Sequence, residues 1–435
     1  MTAKKKADVP VLPEGYFDII PDDQKFWRFV WKKANGLLAD YSFERADLAP
    51  VELAETFTRP VASSEPDRMK KLAVARSHGA ALALRADMAP SLMRVYLQYG
   101  MQALPHPVKL FANGPVVEPT ERGTVMHYSL GVQTIGDETE AVDAELLFLG
   151  CRIMEALSLG SFTIRINTMG DALSKPVYAR ALRDFFKHNA RKLSARTAAV
   201  AKDDPCAALT ILATEDADLA KEAPQSVDHL SEPARLFFRR FLEFLDEGKV
   251  PYIIDHTLVT SDDFATHTIW EFVVDPIAAE GEIPAVPGLT VIRGGRMDRL
   301  AELLGGAKTA SAGWTMDIDA VVARLKGRNA NVPDVQAHAK VFLSQLGEAA
   351  KKRSLMLFED IRKAGIDVRY SLSRDTIKGQ LRMAARYNAR FALIFGQKEA
   401  LEGTVIVREM DTGIQETIPL EKIIDELKKR LKARP

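Results

Sequence analysis

The sequence predicts a mixed α/β (α+β) chain: a strand-rich core interrupted by a helical insertion, then a small C-terminal α/β domain. Three observations carry this. Strand-like runs separated by turns cluster between Ala80 and Gly136 and return between Tyr252 and Val273. Residues 176–250, between those stretches, are helical in pattern and polar. After the turn-rich linker Gly327 to Pro333, strands and helices alternate over about 100 residues, the size of an independent domain. These shifts set boundaries at 1–175 for the first part of the core, 176–250 for the insertion, 251–327 for the second part of the core and 332–435 for the C-terminal domain.

Residues 1–15 are a polar, proline-containing lead-in. From Gln24 to Tyr41, Phe26, Phe29, Val30, Ala34, Leu37 and Leu38 recur at helical spacing. Ser42 to Pro50 reads as a strand ending at proline, and Ser63 to Arg68 as a loop. Leu82 to Arg85, Val108 to Phe111 and Met126 to Ile135 read as strands. Asp137, with Glu140 three residues on, opens a helix in the manner of a capping box. Its buried face is Val142, Leu146, Leu149, Ile153 and Leu157. Phe162 to Ile166 is a strand closed by a turn from Asn167 to Asp171. The insertion breaks at Asp203-Asp204-Pro205.

Thr268 to Val273 is a strand and 278–287 a loop. Leu289 to Arg293 leads into Gly294-Gly295-Arg296, and Gly313 to Leu325 runs from strand or turn into helix. In the C-terminal domain, strands at Asp367 to Tyr370, Phe391 to Phe395 and Thr404 to Arg408 alternate with helices carrying Leu357 and Ile361, then Ile377 and Leu381. The last helix, Leu420 to Lys432, ends basic, which suits its C-terminal dipole.

The 59 basic residues equal the 59 acidic ones, so no bulk field announces a nucleic-acid partner, and any such contact needs a local basic patch. The two cysteines, Cys151 and Cys206, sit in no metal-ligand spacing, which fits a reducing compartment and predicts no metal site. Met1 to Lys6 is basic but has no apolar segment behind it, and no run of about 18 apolar residues occurs. A cytoplasmic protein with no membrane partner is expected.

The segment Leu258-Val259-Thr260-Ser261-Asp262-Asp263-Phe264-Ala265-Thr266-His267-Thr268-Ile269-Trp270-Glu271 resembles the histidine-recognition motif LVRGLDYYTRTVFE of histidyl-tRNA synthetases. Other matches follow in the family's order. Gly15 to Pro21 resembles the opening G-x-x-D-x-x-P, and Ser42 to Pro50 resembles class II motif 1, whose proline, here Pro50, packs at a homodimer interface. Leu84-Arg85-Ala86-Asp87-Met88-Ala89-Pro90 is similar to LRPEGTAP. It is more similar still to the LRPDMTP of the synthetase-like regulatory subunit of ATP phosphoribosyltransferase. Gly294 to Leu300 resembles GGRYDGL, and Ala364 to Val368, Gly396 to Glu399 and Thr412 to Gln415 resemble the anticodon-binding domain. The resemblance implies a class II synthetase-like antiparallel sheet core with a helical insertion, an anticodon-binding-type C-terminal domain and a homodimer.

It also implies a chemistry. Histidine activation brings a carboxylate against the α-phosphate of ATP, so fixed cations must offset the charge built at phosphorus. Where motif 2 of the family has arginine, this chain has Glu118; only Arg122 remains, on the loop, either within reach of a phosphate or as a solvated turn residue. The glutamine after motif 2 becomes Ser129 and the amino-binding glutamate becomes Gln133. In motif 3 a glycine becomes Asp317 and the adenine-stacking arginine becomes Ala320. In the histidine motif the arginine becomes Thr260, and the paired tyrosines become Phe264 and Ala265. Each such cation is worth about 2.7–4 kcal/mol of transition-state stabilisation by analogy with other preorganised donors.

The candidate ligand pocket is therefore Arg85, Asp87, Glu118, Arg122, Gln133, Thr260, Asp263 and Arg296, with no residue assigned as catalytic. Lys378, Arg382 and Arg386 recur every four residues, either as a phosphate-facing stripe for tRNA or as a solvated face. The expected function is a synthetase-like tRNA-binding or regulatory paralogue with lost or strongly reduced activation, with a regulatory protein partner as one version. The alternatives are an active histidine–tRNA ligase, which alone brings in ATP and Mg, and a regulatory subunit of ATP phosphoribosyltransferase. A class II site retuned to another small ligand is a third possibility.

Overall fold

The computed structural model describes residues 9–61, 68–72, 74–120, 123–275, 288–333, 340–372 and 376–433. The loops expected at Ser63 to Arg68 and at 278–287 fall wholly or mostly outside these residues, as does Arg122. The chain divides into two compact units, Met1–Asn331 and Val332–Pro435.

The first unit is built on an eight-stranded sheet. Its spatial order is Glu44–Arg45, Val108–Thr120, Gly123–Ile135, Ser311–Asp317, Leu289–Arg296, Thr266–Val274, Phe162–Gly170 and Ile253–Ile254. The six central strands pair antiparallel, and the two short end strands pair parallel. The strand expected over Ser42 to Pro50 is thus only Glu44–Arg45.

The second and third strands of the sheet form a long hairpin, Val108–Thr120 against Gly123–Ile135, where the sequence predicts strands only at Val108 to Phe111 and Met126 to Ile135. Pro115 and Pro119 both lie in the first of these strands. Beyond Leu110 and Phe111 no strand among the described residues pairs with its outer side, where the Val117 amide donates to the Arg85 carbonyl at 2.8 Å, so the missing N–H of a proline costs no ladder bond there. The strand Leu289–Arg296 continues through Gly294-Gly295-Arg296. A Cβ on Gly313, opposite Gly295, would lie 2.3 Å from the Val132 carbonyl oxygen, so only glycine admits this close approach.

One face of the sheet carries the helices Gln24–Asp40, Glu140–Leu157 and Glu232–Glu247, which form the main core with Trp270, Phe272, Trp314 and Met316. The Glu140–Leu157 helix buries the five apolar residues expected of it. Its start differs from the expected capping box. Asp137 accepts from the amide and hydroxyl of Thr139 at 2.8 and 2.7 Å, forming a turn ahead of the helix.

A second core forms where the helix Met88–Gln98 packs on the hairpin. The sequence reading saw only strands and turns here. The helix was concealed by its nearly all-apolar composition and by Pro90, which sits in the first turn where its missing N–H is harmless. Gly131 lets this helix approach, since a Cβ there would be 2.3 Å from the Met88 Cβ.

Residues 174–221 form four helices around their own core of Tyr178, Leu182, Leu209 and Leu212. Pro205 opens one of them, and Asp204 caps it by accepting from the Ala207 amide at 2.9 Å. The stretch 176–250 is not uniform, however, because the Glu232–Glu247 helix belongs to the main core.

The second unit is a five-stranded sheet in the order Val368–Tyr370, Val341–Gln345, Phe391–Phe395, Thr404–Glu409, Gln415–Pro419. The first three strands run parallel and the last two antiparallel. Val341–Gln345 and Gln415–Pro419 are absent from the sequence reading.

Candidate functional site

The motif 2 hairpin and the motif 3 strand meet in a charged junction. Asp317 is the last residue of Ser311–Asp317 and lies opposite Ser129. It is also the N-cap of the helix Ile318–Gly327, accepting from the Ala320 amide at 3.0 Å. Asp319, two residues on, accepts from the backbone N–H of Tyr128 at 3.1 Å. Its other oxygen, Oδ1, is buried with no hydrogen-bond partner. On the hairpin, Glu118 is exposed and its carboxylate lies 3.2 Å from His127 Nε2.

This cluster perturbs its own proton affinities. The hydrogen bond to Glu118 raises the His127 pKa, against burial, and the charges of Glu118, Asp317 and Asp319 add to the rise. Burial pushes Asp319 up to about 6, with Asp317 adding and the Tyr128 amide and His127 opposing. Among the described residues here, the charges are those of a cation-accepting face, not a phosphate-accepting one.

Arg85 is buried and committed to backbone. Its Nε and Nη2 donate to the Pro115 carbonyl at 3.2 and 2.7 Å, and its Nη1 to the Leu48 and Ala49 carbonyls at 3.1 and 3.3 Å. It thereby ties the motif 1 segment beside Pro50 to the hairpin. Burial lowers its pKa, with Glu52 opposing. Asp87 caps the Met88–Gln98 helix through the Ala89 amide at 3.1 Å. Gln133 is fully buried opposite Gly313 and Leu110. Its Nε2 lies 3.5 Å from Met297 Sδ, and its Oε1 has no partner.

Arg296 lies behind Met297 in a second charged cluster. Its guanidinium and the Asp143 carboxylate are both wholly buried; Nε donates to Asp143 at 3.0 Å, and Nη2 donates to Asp143 as well. It also donates to the Asp137 and Thr139 carbonyls at 3.2 and 2.6 Å. Its carbon lies 5.0 Å from the Phe237 ring centroid. Burial pulls its pKa down, but Asp143, Asp298 and Asp137 together raise it above the ordinary value. His267 stacks on the same Phe237 ring at 4.3 Å with φ of 44°, at a register shift in the sheet. Burial lowers its pKa, with Asp298 opposing.

Thr260 and Asp263 lie in the loop ahead of this strand. Thr260 Oγ1 donates to Asp262 at 2.9 Å and accepts the Asp262 amide at 3.2 Å, a local turn. The Asp263 carbonyl accepts from Arg299 at 3.1 Å. Lys175, at the start of the insertion, donates to the carbonyls of Asp262 and Ala265 at 3.2 and 2.6 Å, and burial lowers its pKa.

The fold therefore divides the predicted site. Gln133 meets Met297 beside Arg296, the Asp263 carbonyl meets Arg299 of the same segment, Thr260 bonds to Asp262 within its own loop, Glu118 belongs to the separate motif 2–motif 3 junction, and Arg85 and Asp87 bind the hairpin and helix behind it. His127 and Asp319 were not singled out from sequence; a histidine paired across a hairpin needs the register before it is visible. In the second unit, Lys378, Arg382 and Arg386 are all exposed on the helix Ile377–Arg386, whose buried residues are Gln380 and Ala384. A second basic stripe went unread: Arg180, Arg183 and Lys187 are exposed at helical spacing on Ser174–His188. No helix among the described residues is long and apolar enough to cross a membrane, and none of their acidic, histidine and cysteine groups could hold a metal ion.

Residues 15–321 match the family model described as Histidyl-tRNA synthetase, and residues 340–430 match that of the Anticodon binding domain. The histidine–tRNA ligase of Dehalococcoides mccartyi is 30% identical over 423 residues, covering 96% of this chain and 99% of that protein. The histidine–tRNA ligase of Staphylococcus saprophyticus is 29% identical with the same coverage. The crystal structure of apo histidyl-tRNA synthetase from S. aureus superposes with a TM-score of 0.78 at 26% identity, over 97% of this chain and all of that one. A Bacillus halodurans structure described as an ATP phosphoribosyltransferase regulatory subunit/histidyl-tRNA synthetase shares the fold at 17% identity and a TM-score of 0.63, over 90% of this chain and all of that one. With a class II core and an anticodon-binding domain in this order, the chain belongs to the histidyl-tRNA synthetase family.

Proposed function

We propose that this protein is a histidyl-tRNA synthetase paralogue that has lost, or retains only weakly, histidine activation and acts by binding tRNA or a regulated partner. The charge of the motif 2–motif 3 junction carries the reading. Glu118 stands where the family's motif 2 arginine would meet phosphate, and Asp317 and Asp319 face the same imidazole. Bringing ATP there sets anions against anions in a partly buried site, where their repulsion is least screened.

Arg85 and Arg296 do not compensate. Arg85 makes four bonds to three backbone carbonyls, and Arg296 is taken up by Asp143, Asp298 and two backbone carbonyls, so both guanidinium groups are already engaged within the fold. Among the described residues, those at this junction do not fit the phosphates of ATP. Losing several transition-state cations at about 2.7–4 kcal/mol each leaves activation very slow, even without full additivity.

The exposed stripes Lys378–Arg382–Arg386 and Arg180–Arg183–Lys187 support a retained RNA-binding role. Retention of the anticodon-type unit favours tRNA over the regulatory-subunit version, which the family resemblance associates with chains lacking it. A homodimer through the Pro50 region belongs to the same reading. The opposing reading, an active ligase with a divergent site, rests on similarity along nearly the full length of curated ligases. Equilibrium titrations separate the two. The paralogue reading expects salt-dependent binding of tRNA and no saturable binding of ATP, with or without histidine. Tight ATP binding that strengthens with histidine favours the ligase instead.

A further inference from the structure

We propose that His127, Glu118, Asp317 and Asp319 form a proton-operated latch that fastens the motif 2 hairpin to the start of the motif 3 helix and sets the charge of that face. The geometry is a junction between two elements. The Tyr128 amide donates to Asp319, so the hairpin strand is tied to the helix's first turn at 3.1 Å. Asp317 caps the same turn through the Ala320 amide at 3.0 Å. His127, next to Tyr128, carries the contact back across the hairpin to Glu118 at 3.2 Å. Asp319 Oδ1 is buried without a partner, an arrangement that a proton relieves.

The groups facing this imidazole are Glu118 from the paired strand and Asp317 and Asp319 from the helix start. Asp319 faces Asp317 and His127. The N-terminal segment contributes Tyr16, bonded to Thr124 at 2.8 Å, and Phe17 against Tyr128. The first helix contributes Trp27, edge-on to Tyr128 at 4.9 Å.

Both titrating groups act in the same direction. His127 and Asp319 each hold a proton more tightly in the folded chain than in an ordinary setting. Each therefore adds stability that is fully present at low pH and lost as pH rises through its folded value. The Asp319 part is lost between about pH 4 and its folded value of about 6, and the His127 part at pH values above the ordinary imidazole value. As pH falls through both ranges, the face passes from three carboxylates beside a neutral imidazole to two carboxylates, a neutral acid and an imidazolium. An anion approaching the face meets less repulsion in the protonated state. The latch does not depend on whether activation survives, so its failure would leave the proposed function untouched.

The test is amide hydrogen exchange on the full chain between pH 5.5 and 8, corrected for intrinsic rates, with NMR titration of the His127 ring. The latch predicts that protection of the Tyr128 and Ala320 amides rises severalfold from pH 8 to pH 6. His127→Gln and Asp319→Asn should each remove part of that rise, and the double variant all of it. The His127 ring should titrate above its ordinary value, and return toward it in Glu118→Gln. Protection that does not vary with pH, a pH response that persists in the double variant, or a ring that titrates at or below its ordinary value overturns the latch. If a variant fails to fold, the wild-type ring titration and exchange profile still decide.

Discussion

Two charged junctions sit on the same sheet and use their charges in opposite ways. Around Arg296, the guanidinium is fully engaged: it meets Asp143, with no side-chain exposure on either ion, the partly buried Asp298 and two backbone carbonyls. Around His127, the imidazole, Asp317 and Asp319 are half-buried and Glu118 is exposed, carboxylates outnumber cations among the described residues, and one Asp319 oxygen has no partner. The first junction is scaffold, holding the Glu140–Leu157 helix to the glycine-bearing strand. The second is open to protons and occupies the place where the family resemblance puts the ATP-binding cations. Charge alone therefore does not mark function; the balance between charge and partners does. Even within the second junction, the motif 3 glycine has become a structural asset. Asp317 closes the helix start, a contact worth about 1 kcal/mol.

The largest effect that sharpens the contrast is at the buried pair. Arg296→Met leaves Asp143 in the core without its cation and should cost about 3–5 kcal/mol in chemical denaturation. A cost below about 1 kcal/mol would mean the pair is not scaffold. Next is Gly313→Ala, whose Cβ would press on the Val132 carbonyl. It should lower stability by about 1–3 kcal/mol, read as a shift in denaturation midpoint at unchanged slope. At the titratable junction the effect is smaller. Asp319→Asn should flatten the fall in stability as pH rises from about 4 through 6, by about 1 kcal/mol after allowance for partial exposure. The corresponding Asp143→Asn variant keeps His127 and Asp319 and should leave that pH dependence in place. Smallest is Lys378→Ala, which should weaken tRNA binding modestly and reduce the magnitude of the logarithmic salt slope by at most about 1.

The sequence made much of this architecture visible, and the reasons for the gaps are physical. Helices with a clear polar side, such as Gln24–Asp40, and the break at Asp204-Pro205 were legible from spacing and capping chemistry. The Met88–Gln98 helix was not, because it is buried nearly all round and lacks a polar face to set its period. The hairpin's length was hidden by prolines that an unpaired strand edge tolerates. At the site, the departures Glu118, Thr260, Asp317 and Ala320 stood out against family motifs. That Arg85 and Arg296 are spent on carbonyls and on Asp143 could not be read, since those partners lie 30–159 residues away in sequence. His127 was missed for the same reason: its meaning comes from strand register and from Asp319 on another element.

The central claim, that the family frame persists without its first reaction, is tested most directly by histidine-dependent ATP–pyrophosphate exchange with the purified full-length protein. The charge-inverted junction predicts exchange at the level of the histidine-free control. Robust, histidine-dependent and saturable exchange would contradict it, and would mean that the cations needed for activation come from residues outside Arg85 and Arg296.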